Sequence, residues 1–163
     1  MKMSRKAKRY DDAVLPGDFQ DFESFQSGDP AGEGRIMGVL RRRGAQVEVG
    51  HLVLERTPNR RQSFAKLRSK AEDLTRHVDY LLEKLEIVDH DRRGMYIQLR
   101  SLPPYKDENQ IQFNEICIRR DRVQLKRIAF SRKDEVKRQV PLTLTEEQLE
   151  RLLGDIRNLL LAP

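Results

Sequence analysis

One cysteine, no tryptophan and no long apolar run are the first bounds on this chain of 163 residues. The lone Cys117 excludes an internal disulfide framework and fits a reducing compartment. A membrane span takes roughly 18 consecutive apolar residues, and no run approaches that. The basic start, Met1 to Arg9, is followed by no apolar stretch, so it does not read as a signal peptide. The expectation is a soluble, cytoplasmic protein. Aromatic residues are only 6%, too sparse for the interleaved stacking platform that single-stranded nucleic acid usually meets. Tyr96 points opposite to Met95, Ile97 and Leu99, towards a second sheet face, and Tyr105 falls in a loop. The glycines of Ser27–Gly34 are followed by no Gly-Lys-Ser/Thr, which excludes a phosphate loop.

Charge of one sign is missing locally. Residues 1–10 hold five bases and no acid, and residues 11–34 hold seven acids and no base. Of the +6 total, +5 and −7 belong to these two segments, so residues 35–163 carry +8. A basic folded part favours an anionic partner through steering and counterion release. Residues 1–34 read as a flexible charged arm and residues 35–163 as a single α+β domain.

What the chain does have is pattern. Phe64, Leu67, Ala71, Leu74, Val78, Leu81 and Leu85 recur in steps of three and four, the spacing of one helix stripe. This predicts a long amphipathic helix from Arg61–Ser63 to Leu85–Glu86. Its e and g positions offer no opposite-charge pairs, so it reads as a helix lying on its own sheet and not as a coiled coil. Before it, Ile36–Leu40 and Gln46–Glu55 flank Arg41-Arg42-Arg43-Gly44-Ala45 as a β-hairpin. After it, strands at about 86–90, 95–101, 110–119, 122–131 and 136–144 are joined by short links. Such links make an antiparallel β-meander of four or five strands. Apolar parity switches inside the two middle strands, from Ile111 and Phe113 to Ile116 and Ile118, and from Val123 and Leu125 to Ile128 and Phe130. Either both strands carry bulges or each is covered on both faces at different heights, and both options place them centrally. Thr145 with Gln148 three residues on forms a capping box for a C-terminal helix. Its apolar face is Leu149, Leu152, Leu153, Ile156, Leu159 and Leu160.

Alternate turns of a meander fall at one end of the sheet. Arg92, Arg93, Arg119, Arg120 and Arg122 therefore share a rim, with Lys126 and Arg127 in support. Arginine forks suit phosphate oxygens, so these seven are the candidate nucleic-acid contacts. Arg41, Arg42 and Arg43 make a second basic tip. Phe19, Phe22 and Phe25, three apart among acids, form a candidate docking element for a protein partner. Catalytic and metal sites find no support. Asp73 and His77 lack a third ligand, Cys117 reads as a buried structural thiol beside Glu115, and no nucleophile–base arrangement assembles. No cofactor is implied. The leading expectation is a non-catalytic module engaging a polyanion such as nucleic acid. The second is a protein–protein adaptor or chaperone-like module, homodimeric in one form, that uses the acidic arm.

Overall fold

Side-chain alternation turns about half of the described residues into strands. The computed structural model describes residues 14–29, 31–32, 34–57, 62–81 and 83–161. In chain order the strands are β1 (Val14–Leu15), β2 (Glu23–Asp29), β3 (Gly34–Arg43), β4 (Gln46–Glu55), β5 (Leu85–Asp91) and β6 (Tyr96–Ser101). They continue as β7 (Tyr105–Lys106), β8 (Gln110–Ile118), β9 (Arg122–Ser131), β10 (Val136–Val140) and β11 (Leu142–Thr145). Helix α1 (Phe64–His77) lies between β4 and β5, and α2 (Glu146–Leu161) follows β11. All the strands belong to one 11-stranded sheet whose main path is β2-β3-β4-β9-β8-β6-β5. The α+β class and the antiparallel sheet follow the sequence patterns. The arrangement differs from a meander preceded by a separate hairpin, because β4 pairs with β9 and fuses the two.

That junction is forked. Ladder β4–β9 runs from Glu55 opposite Arg122 to His51 opposite Lys126 and stops there. Beyond it, residues 127–131 of β9 pair with β10, and residues 46–49 of β4 pair with β11. The other edges of β4 and β9 are already occupied by β3 and β8. The β10–β11 segment therefore enters the fork as a wedge, descending along β9 and returning along β4. Pro141 stands at its vertex. A residue without an N–H is suited to a point where no ladder partner is available. Gly50 marks the same place on β4: the register with β3 slips between Val39 and Leu40, and a Cβ on Gly50 would lie 2.9 Å from the Phe19 ring. Only glycine allows that approach.

Both helices cover one face. Ile36, Leu40, Val49, Leu52, Leu54, Ile97, Leu99, Ile116, Ile118, Val123 and Leu125 meet Leu67, Leu74, Leu149, Leu152 and Ile156 in one core. The parity switch is resolved without bulges, since β8 and β9 pair continuously from Gln110–Ser131 to Ile118–Val123. Ile116, Ile118, Val123 and Leu125 face the helices, while Phe113 and Ile128 are buried on the reverse face. The Thr145 box forms as expected. Gln148 N–H donates to Thr145 Oγ1 at 3.1 Å, and Thr145 N–H donates to Gln148 Oε1 at 3.0 Å. Leu149, Leu152, Ile156 and Leu159 are buried, whereas the Leu160 side chain lies outside those described.

Three expectations change. Helix α1 starts on the Ser63 cap but ends at His77, two turns early. Val78, Leu81 and Leu85 stay in the core from non-helical chain, so the heptad spacing outlasts the helix. His77-Val78-Asp79-Tyr80 is a run of weak helix formers, and Val78 takes φ −90° and ψ 81°. Second, the reading of residues 1–34 as a flexible arm fails from Val14 to Asp29. Glu23–Asp29 pairs with Arg35–Leu40 and Gly34, and Val14–Leu15 pairs in parallel with Lys137–Arg138. A chain with a partner edge beside it gains its backbone bonds there despite a polar composition. Residues 1–13 and Arg61 lie outside the described residues. Third, Tyr105 sits in β7 against Gln112 and not in a loop. Among the described residues, no helix is long and apolar enough to cross a membrane. Replacing Thr145 by Ala is expected to cost about 1 kcal/mol through loss of the cap, read as a lower urea midpoint at unchanged m-value.

Candidate functional site

Register decides where the arginines go. Ile97 stands opposite Ile118, so the β5–β6 and β8–β9 turns leave the sheet at the same end. Arg92, Arg93, Arg119, Arg120 and Arg122 thus share one rim. Their surroundings differ. Arg92 turns to the helix side, its guanidinium 5.3 Å from the Phe64 ring centre. Arg119 turns to the reverse face and lies 4.7 Å over Tyr96. Arg93 is exposed, and its N–H is held by Asp91 Oδ1 at 3.1 Å. Arg120 is half-buried. Arg122 and Arg35 grip one carboxylate, donating to Glu55 at 2.8 and 2.9 Å. The Arg35 hydrogen bond, with Arg122 beside it, holds the Glu55 carboxyl below the usual range. Asp121 contributes its carbonyl, which accepts from Arg56 N–H at 3.0 Å. The Arg41–Arg43 tip sits at the opposite end of β4, about 30 Å away at 3.3 Å per residue.

The reverse face, bare of helices, repeats the Glu55 arrangement. Glu115, with its side chain 8% exposed, lies between Arg100 at 3.3 Å and Lys126 at 3.7 Å. Gln98 also donates to it at 2.8 Å. Glu48 lies between Arg41 at 3.2 Å and Arg43 at 3.1 Å. Each of three glutamates is thus flanked by two cations; the Glu55 and Glu115 clusters keep one net positive charge, and at Glu48 the Asp21 carboxylate, 4.0 Å from Arg41, offsets it. Beside Glu115, the Tyr96 hydroxyl and Cys117 Sγ are 3.3 Å apart. Burial pushes the Cys117 thiol up to about 11, with the Glu115 carboxylate adding to the effect. Burial likewise pushes the Tyr96 phenol above its ordinary range, Cys117 and Glu115 contributing. At pH 7 both groups are therefore neutral.

Two of the sequence candidates are placed differently from expectation. Lys126 projects onto the reverse face and is engaged by Glu115. Arg127 leaves the surface altogether: its side chain is 4% exposed and faces the helix layer. It donates to Glu83 at 3.0 Å, Asn114 at 2.8 Å and Gln112 at 2.9 Å. One position separates the two residues on a strand, which sends them to opposite faces. Arg127 is thus a structural ion pair and is removed from the candidate contacts. The phenylalanines do not share a helix face either. Phe19 and Phe22 pack on each other at 5.0 Å in the loop before β2, with Phe22 under Arg41 at 4.8 Å. Phe25 lies on β2 opposite Gly38 and packs against the core. All three are engaged within the chain.

Sequence reasoning missed Glu55, Glu115 and Gln98. Their shared signal, a polar residue next to an apolar one on a strand, reads equally as a solvated face. The remaining candidates are accounted for locally. His77 Nδ1 donates to the Asp73 carbonyl at 2.7 Å, and the Asp73 carboxylate lies 3.5 Å from Arg76. His51, lowered by burial, sits beside Phe19 at 6.5 Å. His90 contacts Arg68 at 3.1 Å. Among the described residues, no group of three His, Cys, Asp or Glu could hold a metal ion. A shallow cleft of about 200 Å³ between α1 and α2 is lined by Lys70, Asp73, His77, Asp155 and Asn158 with Leu74 and Leu159.

Replacing Arg127 by Ala strands Glu83 and Asn114 and is expected to cost about 3 kcal/mol in denaturant unfolding. The raised Cys117 thiol makes the folded state bind a proton that the unfolded state releases. This stabilisation is complete below about pH 8.5, the ordinary thiol value, and is lost as pH rises through about 11. Iodoacetamide at pH 8 should therefore modify native Cys117 roughly 200-fold more slowly than the urea-unfolded chain.

No family model, no curated protein and no solved structure matches the chain.

Proposed function

We propose that this protein is a non-catalytic binding module that holds a polyanion, nucleic acid foremost, against its arginine-rich rim. The observation that carries the reading is the register of β6 with β8, which gathers arginines from two separate turns at one sheet end. Guanidinium forks from several directions can follow a line of phosphates, where a single basic loop would meet one. The excess of +8 in residues 35–163 supports the same ligand class by raising its local concentration. The ring-backed guanidinium groups of Arg92 and Arg119 are held in place before a ligand arrives. Less of their ordering entropy is then lost on binding. A catalytic role gains no support from Cys117, whose thiol is kept protonated, or from the histidines, which are engaged locally. The adaptor reading is weaker because Phe19, Phe22 and Phe25 already pack on this chain.

Fluorescence anisotropy with a labelled oligonucleotide at several salt concentrations tests the proposal. Affinity is expected to fall as salt rises, by about one unit of logarithmic slope per phosphate contacted. Reversing Arg93, Arg119 and Arg120 to Glu should abolish binding and flatten that slope while leaving the thermal midpoint close to wild type. Absence of binding to any nucleic acid at low salt would overturn the reading.

A further inference from the structure

The helix-free face of the sheet has an order that the rim alone does not explain. Residues paired across β3, β4, β9, β8 and β6 form rows on it. Arg35, Glu55 and Arg122 make the row nearest the rim, extended by Arg119 stacked on Tyr96. Next comes Met37, Val53, Gln124, Cys117 and Gln98, a row with no charged side chain. Third is Val39, His51, Lys126, Glu115 and Arg100. Both charged rows carry a surplus of one cation over the glutamate they contain, before Arg119 is added. From Arg122 to Lys126 is four residues, so the rows lie about 13 Å apart at 3.3 Å per residue. Between them runs a neutral lane in which Met37, Val53 and Cys117 are half-buried, Gln124 is exposed and Gln98 is enclosed by its neighbours.

The lane has ends. On the β5 side it stops at Asp89, which pairs with Gln98, and Asp91, which pairs with Tyr96. These acids are outside any cation cluster and would repel phosphate. Along the strands, Phe19 and Phe22 close the fork beyond the third row. Towards the rim it is bounded by the Arg35–Glu55–Arg122 row, which Arg119 over Tyr96 continues.

We infer that this lane binds single-stranded nucleic acid, the bases lying on the neutral row and the one phosphate backbone following a flanking cationic row. The inference rests on the polyanion reading above and names its ligand. Charge complementarity selects a polyanion. A neutral row of amides and apolar groups between cations further selects one with unpaired bases, since base edges have hydrogen-bond donors and acceptors for Gln124 and π-faces for the Arg119 guanidinium that lies over Tyr96. A duplex keeps its base faces stacked inside and would meet only the rim. The paired glutamates fix the orientation of Arg35, Arg122, Arg100 and Lys126 while leaving each cluster net positive.

The test compares the full chain against single-stranded DNA and RNA of about 12 nucleotides, a DNA duplex of the same sequence, and heparin, which has charge and no bases. Single strands are expected to bind at least 10-fold more tightly than duplex, and the DNA and RNA arms show whether the 2′-hydroxyl matters. A neutral triple variant, Tyr96→Leu with Val53→Ala and Gln124→Ala, should weaken single-strand binding about 10-fold at unchanged salt slope and leave heparin binding unaltered. Circular dichroism and a thermal midpoint confirm that it folds, and the milder Gln124→Ala alone should move affinity in the same direction. Equal affinity for single strand and duplex would overturn the inference. So would a folded triple variant that binds like wild type. In both cases loss of binding on rim reversal would still uphold the polyanion reading. Failure to bind any of the four probes would end both.

Discussion

Five residue pairs join this molecule. His51–Glu55 of β4 against Lys126–Arg122 of β9 is the short ladder through which the N-terminal hairpin and the C-terminal meander become one sheet. Neither half has a complete core without it, because the helices cover both at once: α2 packs on β4, β9 and β11, and α1 on β5 and β6. The ladder stops at Lys126 because the strands diverge there, as twisted strands do. That divergence leaves two rows of unpaired backbone groups. The wedge of β10 and β11 satisfies both, and the Phe19 ring fills the space over Gly50. The constraint is hydrogen bonding: buried strand edges need partners, and the chain after β9 supplies them.

From the same ladder follows the placement of charge. Pairing β4 with β9 sets Glu55 beside Arg122, and pairing β8 with β6 sets Glu115 beside Arg100. Polar residues that alternate with core residues are thereby sorted onto one face in rows. The face could have been a uniform mixture of charges. It is instead two net-positive rows with a neutral lane between, because charged residues stand on neighbouring strands at matching heights, each glutamate between two cations. Burial adds to this order. Glu115 and Gln98 are nearly enclosed by their neighbours, so their contacts have geometry that a solvated pair would lack.

Much was legible in single stretches of chain. Alternation in Met95–Leu99 and in β3 and β4 reports strands with one buried face. The Thr145–Gln148 box and the stripe of Leu149, Leu152 and Ile156 report a capped, docked helix. Even the shared rim could be read, since short links make neighbours antiparallel and alternate turns coincide. Other features were misread for physical reasons. The stripe through Leu85 continues past the end of α1 because burial needs only a common side, which turn and strand residues can also supply. Residues 23–29 are polar and look unstructured alone, yet backbone bonding to the edge of β3 holds them as β2. Arg127 shares the parity of Val123 and Leu125, but Ile128 and Phe130 switch the apolar pattern to the parity of Lys126, so the strand alone does not tell which of the two is buried.

Local sequence by itself therefore determined the class of structure, most strand positions, both helices and the one-ended cluster of arginine turns, because hydrophobic period, capping and loop length act within a few residues. Tertiary structure alone decided the forked β4–β9 junction, the membership of Glu23–Asp29 in the sheet and the burial of Arg127. It also decided the alignment of Arg35, Glu55 and Arg122 with Tyr96 and Arg119 along one edge of an open face. These depend on which strand edges meet, and that choice is made by the core as a whole, between residues as far apart in the chain as Glu55 and Arg122.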